Sequence, residues 1–151
     1  MTEVQRIVES VVAIIEFPNG RLLLVRRKGE PYDNYWCLAG GKLEPNETPE
    51  VGCIREVKEE TGLDVTIVKR LGSYIEYAEY KGVKCEFRPT LFVVKPNDVN
   101  QEIVVQETEV RDIQFFSVWD AKYLPLAFKH NEMIMDYLRW YLNSPLNGGE
   151  K

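Results

Sequence analysis

The stretch from Thr48 to Gly62 restricts the fold of this chain more than any other part of it. Thr48, Pro49 and Glu50 read as a helix start: a hydroxyl to cap free N–H groups, a proline at the first helical position and a glutamate next. Gly62 supplies a left-handed stop after Thr61. At about 100° per residue, Val51, Ile54, Val57 and Thr61 fall on one side, the face expected to pack on a sheet. Glu56, Glu59 and Glu60 gather on the other side, at i, i+3 and i+4. Each like-charge pair at that spacing costs roughly 0.2–0.5 kcal/mol, so the three carboxylates either stand in solvent or share a cation. The spacing alone leaves both readings open. Oxygen ligands without thiolate or imidazole select Mg²⁺, Mn²⁺ or Ca²⁺ over zinc. Arg55 offers an i,i+4 pair with Glu59, and otherwise Arg55 and Lys58 are expected to point elsewhere.

Around this helix the chain reads mostly as strands. Val11–Phe17 and Arg21–Arg27 flank Asn19-Gly20, a strong hairpin signal. Tyr35–Leu38 reads as a short strand leading into Ala39-Gly40-Gly41. Further strands are expected at Val65–Val68, Gly72–Glu79 and Val83–Val94, the last two joined by Lys81-Gly82, and around Ile113–Ser117. Asn131–Leu142 has the 3.6-residue period of a closing helix, with Ile134, Tyr137, Leu138 and Tyr141 on one side. Strands, a helix, more strands and a final helix make an α+β chain, a mixed sheet covered by helices. We expect one domain over residues 1–145 and a flexible tail at 146–151.

Composition removes several functions. A net charge of −5 argues against a nucleic-acid backbone as main partner. No apolar run approaches the ~18 residues a bilayer span needs, and the N-terminus lacks a signal pattern. Cys37, Cys53 and Cys85 form no C-x-x-C pair, which suits buried thiols in a reducing cytoplasm. The single histidine, His130, argues against a His-rich zinc site and, with no catalytic serine signature beside it, against a Ser-His-Asp relay. Carboxylates are left to run the chemistry.

From Gly41 the chain reads GKLEPNETPEVGCIREVKEETGL. Gly41, Glu47, Arg55, Glu56, Val57, Glu59, Glu60, Gly62 and Leu63 match G-x5-E-x7-R-E-U-x-E-E-x-G-U, where U is a bulky aliphatic residue, without a gap or substitution. This resembles the Nudix box, and the strand order on both sides is similar to the Nudix α/β/α sandwich. The resemblance implies a hydrolase that cuts a diphosphate linkage with Mg²⁺ or Mn²⁺. It implies that the Gly40 carbonyl and Glu56, Glu59 and Glu60 hold the cation, and that Arg55 and Glu47 brace the loop and helix. Gly41 and Gly62 would be structural. Glu56 is favoured as general base, with Glu59 and Glu109 as alternatives. Glu109, ahead of the strand at Phe115, is the expected further acidic residue, and Glu107 the alternative. Arg27, Tyr32, Trp36 and Glu44 are the expected substrate contacts. Ala39 stands where the family usually has proline, which loosens the turn but removes no ligand.

The substrate is less constrained. Pro125-Leu-Ala-Phe-Lys-His130 resembles a stretch of ADP-ribose-type Nudix proteins, as does Pro31-Tyr32. The proline that marks many of those enzymes beyond the box is absent, with Tyr77, Ala78 and Glu79 in its region. Tyr80 matches a tyrosine of dinucleoside polyphosphate hydrolases, or is an ordinary sheet residue. Tyr32, Tyr35, Trp36, Tyr74 and Phe87 are candidates to stack on a base or to pack the core. ADP-ribose or a related nucleotide sugar ranks first as the small-molecule partner. A nucleoside triphosphate, a dinucleoside polyphosphate and a non-catalytic nucleotide-binding module follow. A homodimer is compatible with the chain.

Overall fold

The structure is a computed structural model that describes residues 3–106 and 108–144. The Val11–Ile15 run is apolar at every position, so a strand there must be covered on both faces. It lies inside β1 (Arg6–Phe17), whose odd positions Val11, Ala13 and Ile15 join one buried cluster and whose Val12 and Ile14 join another. The strand alternation thus builds two cores, one on each face of the sheet. Helix α1 (Pro49–Thr61) closes the first through Cys53 and Val57, and helix α3 (His130–Asn143) closes the second through Met133, Ile134, Tyr137 and Leu138.

The remaining strands are β2 (Arg21–Arg27), β3 (Trp36–Cys37), β4 (Ala39–Lys42), β5 (Val65–Ser73), β6 (Glu76–Tyr80), β7 (Val83–Pro96) and β8 (Val110–Ser117), followed by a short helix α2 (Val118–Ala121). The main path runs β3-β2-β1-β7-β5, while β4 pairs β1, β6 pairs β7 and β8 pairs β2. β1 and β7 are parallel from Arg6↔Cys85 to Ile15↔Val94 and the other pairings are antiparallel, so the sheet is mixed and the fold α+β. No helix among the described residues is long and apolar enough to cross a membrane.

Both hairpin signals hold. β1 and β2 pair antiparallel around a 3₁₀ turn at Pro18–Gly20, and β6 and β7 meet at Tyr80↔Val83, with Lys81 at φ 51° and Gly82 at φ 77°. Two positive φ values in a two-residue loop match the right-handed twist of the strands. The break expected before Gly72 falls instead after Ser73, because β5 stays paired with β7 to Ser73↔Thr90. β1 begins earlier than expected, at Arg6, and β4 and α2 are additional elements. The tail at 146–151 and Glu107 lie outside the described residues.

The orientation of α1 corrects the sequence reading. Val51 and Ile54 are 58% and 39% exposed, while Glu56 and Glu60 are 8% and 9% exposed. The buried stripe is centred on Cys53, Val57 and Thr61, which brings Glu56 and Glu60 inward along its flank and turns Val51 and Ile54 out. Arg55 likewise does not point away from the acidic cluster; it lies at its centre.

Candidate active site

Helix α1 is fixed at both ends by its own sequence. Thr48 Oγ1 accepts the Val51 N–H (3.3 Å), and Gly62 at φ 78° donates its N–H to the Lys58 carbonyl (2.9 Å), a conformation only glycine adopts without strain. Between these ends Arg55 acts as a hub. Its Nε and Nη2 donate to Glu47 Oε2 (2.7 Å) and Oε1 (2.8 Å), a two-pronged pairing that suits a planar guanidinium. Nη2 also donates to the Lys42 carbonyl (3.0 Å), and Nη1 to Glu56 Oε1 (2.9 Å) and Glu59 Oε2 (3.1 Å). Arg55 holds the Glu47 carboxyl down to about 2, assisted by the Glu44 N–H, which donates to Glu47 Oε1. The helix, the loop before it and strand β4 are thereby tied to one side chain.

Glu56, Glu60 and Glu109 converge, with one carboxylate oxygen of each lying within 4.8 Å of the others. Glu60 Oε1 accepts the Gly40 N–H (2.9 Å). The Glu56 carboxylate lies over Gly41 so closely that a Cβ there would stand 2.5 Å from it, which explains the glycine. Glu109 reaches the pair from the turn before β8, where its carbonyl accepts the Lys28 N–H (3.1 Å). Burial pushes Glu56 up to about 7 and Glu60 up to about 8, and neighbouring carboxylates add to both shifts. Three carboxylates that converge, Glu56 and Glu60 buried and Glu109 exposed, fit a hard divalent cation, which would offset the repulsion between them. Glu59 stays outside this trio, on Arg55.

The trio opens into a cavity of about 520 Å³ that Arg27, Glu44, Arg55 and Tyr80 also line. Arg27 donates from Nε to the Pro31 carbonyl (2.7 Å) and lies 5.2 Å over the Phe128 ring. Two expected substrate contacts are placed elsewhere. Trp36 packs in the α3-side core against Phe116 at 5.2 Å, because the side chains of β3 alternate and Cys37 takes the cavity face. Tyr32 does not line the cavity either; it is exposed and packs on the cavity-lining Phe128 (4.7 Å) and on Tyr35 (5.4 Å). Tyr74 donates its hydroxyl to Asp136, away from the cavity, whereas Phe87 lines it.

The sequence reading did not find Glu76 as a site residue. It is 4% exposed, its Oε2 accepts the Lys129 N–H (2.8 Å), and burial pushes it up to about 7. Phe128 and His130 line the same part of the cavity, brought there by the segment ahead of α3. That segment docks on β3: Ala127 N–H donates to the Trp36 carbonyl (3.0 Å), and the Leu38 N–H donates to His130 Nδ1 (3.0 Å). The Leu-Ala-Phe-x-His pattern marked the segment, but nothing in β6 marks Glu76, whose meaning depends on Lys129 far along the chain.

Comparison with known proteins agrees with this geometry. The family model described as NUDIX domain matches residues 7–137. An ADP-ribose pyrophosphatase of Methanocaldococcus jannaschii is 34% identical over 132 residues, which is 87% of this chain and 73% of that protein. A CTP pyrophosphohydrolase of Escherichia coli is 36% identical over 70 residues, 46% of this chain and 51% of that protein. Among solved structures, the E. coli ORF135 protein superposes with a TM-score of 0.69 at 26% identity, covering 93% of this chain and 94% of that one. The NUDIX domain of Shewanella oneidensis NrtR, in complex with ADP ribose, superposes with a TM-score of 0.68 at 20% identity over 91% of this chain and 89% of its own, a likeness of fold alone.

Proposed function

The chain belongs to the NUDIX family of pyrophosphohydrolases, and from that premise we propose that it hydrolyses the diphosphate linkage of ADP-ribose or a related nucleotide sugar. The observation that carries this reading is the meeting of buried Glu56 and Glu60 with exposed Glu109 in the wall of a cavity large enough for a nucleotide. These three would hold Mg²⁺ or Mn²⁺, with Glu59 joining once its pairing with Arg55 is exchanged for the cation, and with the Gly40 carbonyl as the expected backbone ligand. The bound cation supplies charge neutralisation for the diphosphate and acidifies a water.

Glu56 takes the proton of the attacking water. Its carboxylate lines the cavity and is fixed there by the Arg55 Nη1–H, which donates to Oε1 (2.9 Å). Water attacks one phosphorus, the bridging P–O bond breaks, and ADP-ribose becomes AMP and ribose 5-phosphate. Arg27, in the cavity wall, contacts a phosphate. Arg55 stays on Glu47 and keeps Glu56 aimed.

A nucleoside triphosphate is the second reading, favoured by the similarity to the CTP pyrophosphohydrolase. A product screen with Mg²⁺ and with Mn²⁺ separates them. We expect AMP and ribose 5-phosphate from ADP-ribose at a rate well above that of pyrophosphate release from CTP. Pyrophosphate release as the faster reaction would reverse the order, and turnover of neither class would remove the hydrolase reading.

A further inference from the structure

Cavity-lining residues away from the acidic trio carry polar groups that the hydrolytic step does not use. Glu76 lies in β6 and His130 opens α3, and each is locked by a backbone N–H. Lys129 N–H holds Glu76 Oε2 (2.8 Å), and Leu38 N–H holds His130 Nδ1 (3.0 Å). The second lock fixes a tautomer: a nitrogen that accepts from a backbone amide carries no proton, so the neutral ring donates from Nε2. Burial keeps the ring neutral by driving it down to about 3. Glu76 Oε1 and His130 Nε2 have no partner, yet Arg26 Nε is the only fully buried side-chain nitrogen or oxygen without one among the described residues. The two free atoms therefore keep contact with the cavity that both residues line. An acceptor and a donor are presented there, beside Phe128, whose ring is 5.5 Å from Phe87 and 5.7 Å from the His130 ring.

We propose that Glu76 and His130 form a base-reading pair in this part of the cavity, with Glu76 accepting an N–H from the nucleobase and His130 Nε2 donating to a neighbouring ring nitrogen. The proposal rests on the nucleotide-hydrolase reading and deepens it. A flat heterocycle suits the Phe87 and Phe128 rings. Adenine offers the required edge through its exocyclic amine and the nitrogen next to it, and cytosine offers the same edge; with the ADP-ribose reading above, adenine nucleotides are the substrate class. Glu76 is then a specificity-determining residue and takes no part in bond cleavage.

The anchoring bond makes the pair testable by one isosteric change. In Glu76→Gln the Lys129 N–H retains the amide oxygen, so the amide NH₂ turns to the cavity and a donor replaces the acceptor. The experiment measures binding to the full-length protein, which does not depend on turnover, of three probes: AMP, purine riboside 5′-monophosphate (the same base without its amine) and 2′-deoxy-AMP. The wild type should bind AMP about tenfold or more tighter than the purine analogue, as expected for a buried hydrogen bond to a carboxylate. Glu76→Gln should bring that ratio near one, and ADP-ribose hydrolysis by the variant should suffer more in KM than in kcat. Equal binding of AMP and the purine analogue by the wild type overturns the proposal even if the variant does not fold. So does an unchanged ratio in the variant, a preference that follows the 2′-hydroxyl, or failure to bind any probe. In each of these cases divalent-cation-dependent hydrolysis of a diphosphate would still stand, whereas its absence would remove the function itself.

Discussion

Two parts of one cavity wall are built by opposite means. The acidic part is mostly local: Glu56 and Glu60 are one turn apart on α1, and Arg55, on the same helix, ties Glu56 to Glu47, so that only Glu109 comes from a distant segment. The part around Glu76 is assembled from distant segments, with β6 held against the start of α3 by Glu76 and Lys129, and β3 by His130 and Leu38. A local arrangement is written in residue spacing; a distant one exists only after the sheet has formed. On the reading proposed above, the difference also divides the labour, the acidic part serving a chemistry shared across substrates and the other part selecting which nucleotide is cut.

The largest expected effect separates the two parts. Glu56→Gln should lower kcat by about 10²–10⁴-fold, the usual contribution of a general base, with little change in the binding of AMP. Glu109→Ala should also act on kcat more than on KM, since it belongs to the same trio. Steady-state kinetics with saturating Mg²⁺ check both. A Glu56→Gln variant that keeps its kcat and loses nucleotide affinity would break the division.

A smaller effect is expected at the hub. Arg55→Lys keeps the charge and loses the fork that grips Glu47 while reaching Glu56, so activity should fall about 10–100-fold, as for other groups that orient catalytic ligands. Equal activity in the two proteins would mean that Arg55 supplies charge alone.

The smallest effect is a change of stability with pH in the cation-free protein. Glu56 and Glu60 are raised in the folded state from an ordinary 4.5 to about 7 and about 8. A raised carboxyl favours folding below its unfolded value and loses that contribution as pH rises through the folded one. With EDTA present, Tm should therefore drop between pH 5 and pH 9, and Mg²⁺ should reverse the drop by favouring ionised Glu56 and Glu60. Glu76, also raised to about 7, adds to the same drop, and Glu60→Gln removes one of the three groups, so its Tm should fall less over the same range. His130 acts in the other direction, because its lowered value costs stability as pH falls below 6.5. A wild-type Tm that rises steadily from pH 5 to pH 9 in EDTA would contradict the burial of Glu56 and Glu60.

Much of the acidic part is legible in the sequence. Caps set the ends of α1, and the hairpin dipeptides set two of the connections. The rotation of α1 is not legible, because apolar spacing alone favours Val51 and Ile54 over Cys53 and cannot register that Arg55 and the Gly40 N–H satisfy two buried carboxylates. Trp36 was misplaced because a two-residue strand has too little alternation to fix which side faces the cavity. Glu76 has no local signature at all: a glutamate in a strand reads as exposed until the chain returns with Lys129.

On the proposed reading, a cation site formed by Glu56, Glu60 and Glu109 serves the cleavage of a diphosphate. This reading is tested most directly by ADP-ribose hydrolysis in water enriched in heavy oxygen, with Mg²⁺ and again after exhaustive EDTA treatment, followed by mass analysis of the products. With Mg²⁺, AMP and ribose 5-phosphate should form, with the label in the phosphate of one product and none on ribose carbon; after EDTA, hydrolysis should stop. Turnover that survives EDTA, or label on ribose carbon, would contradict it.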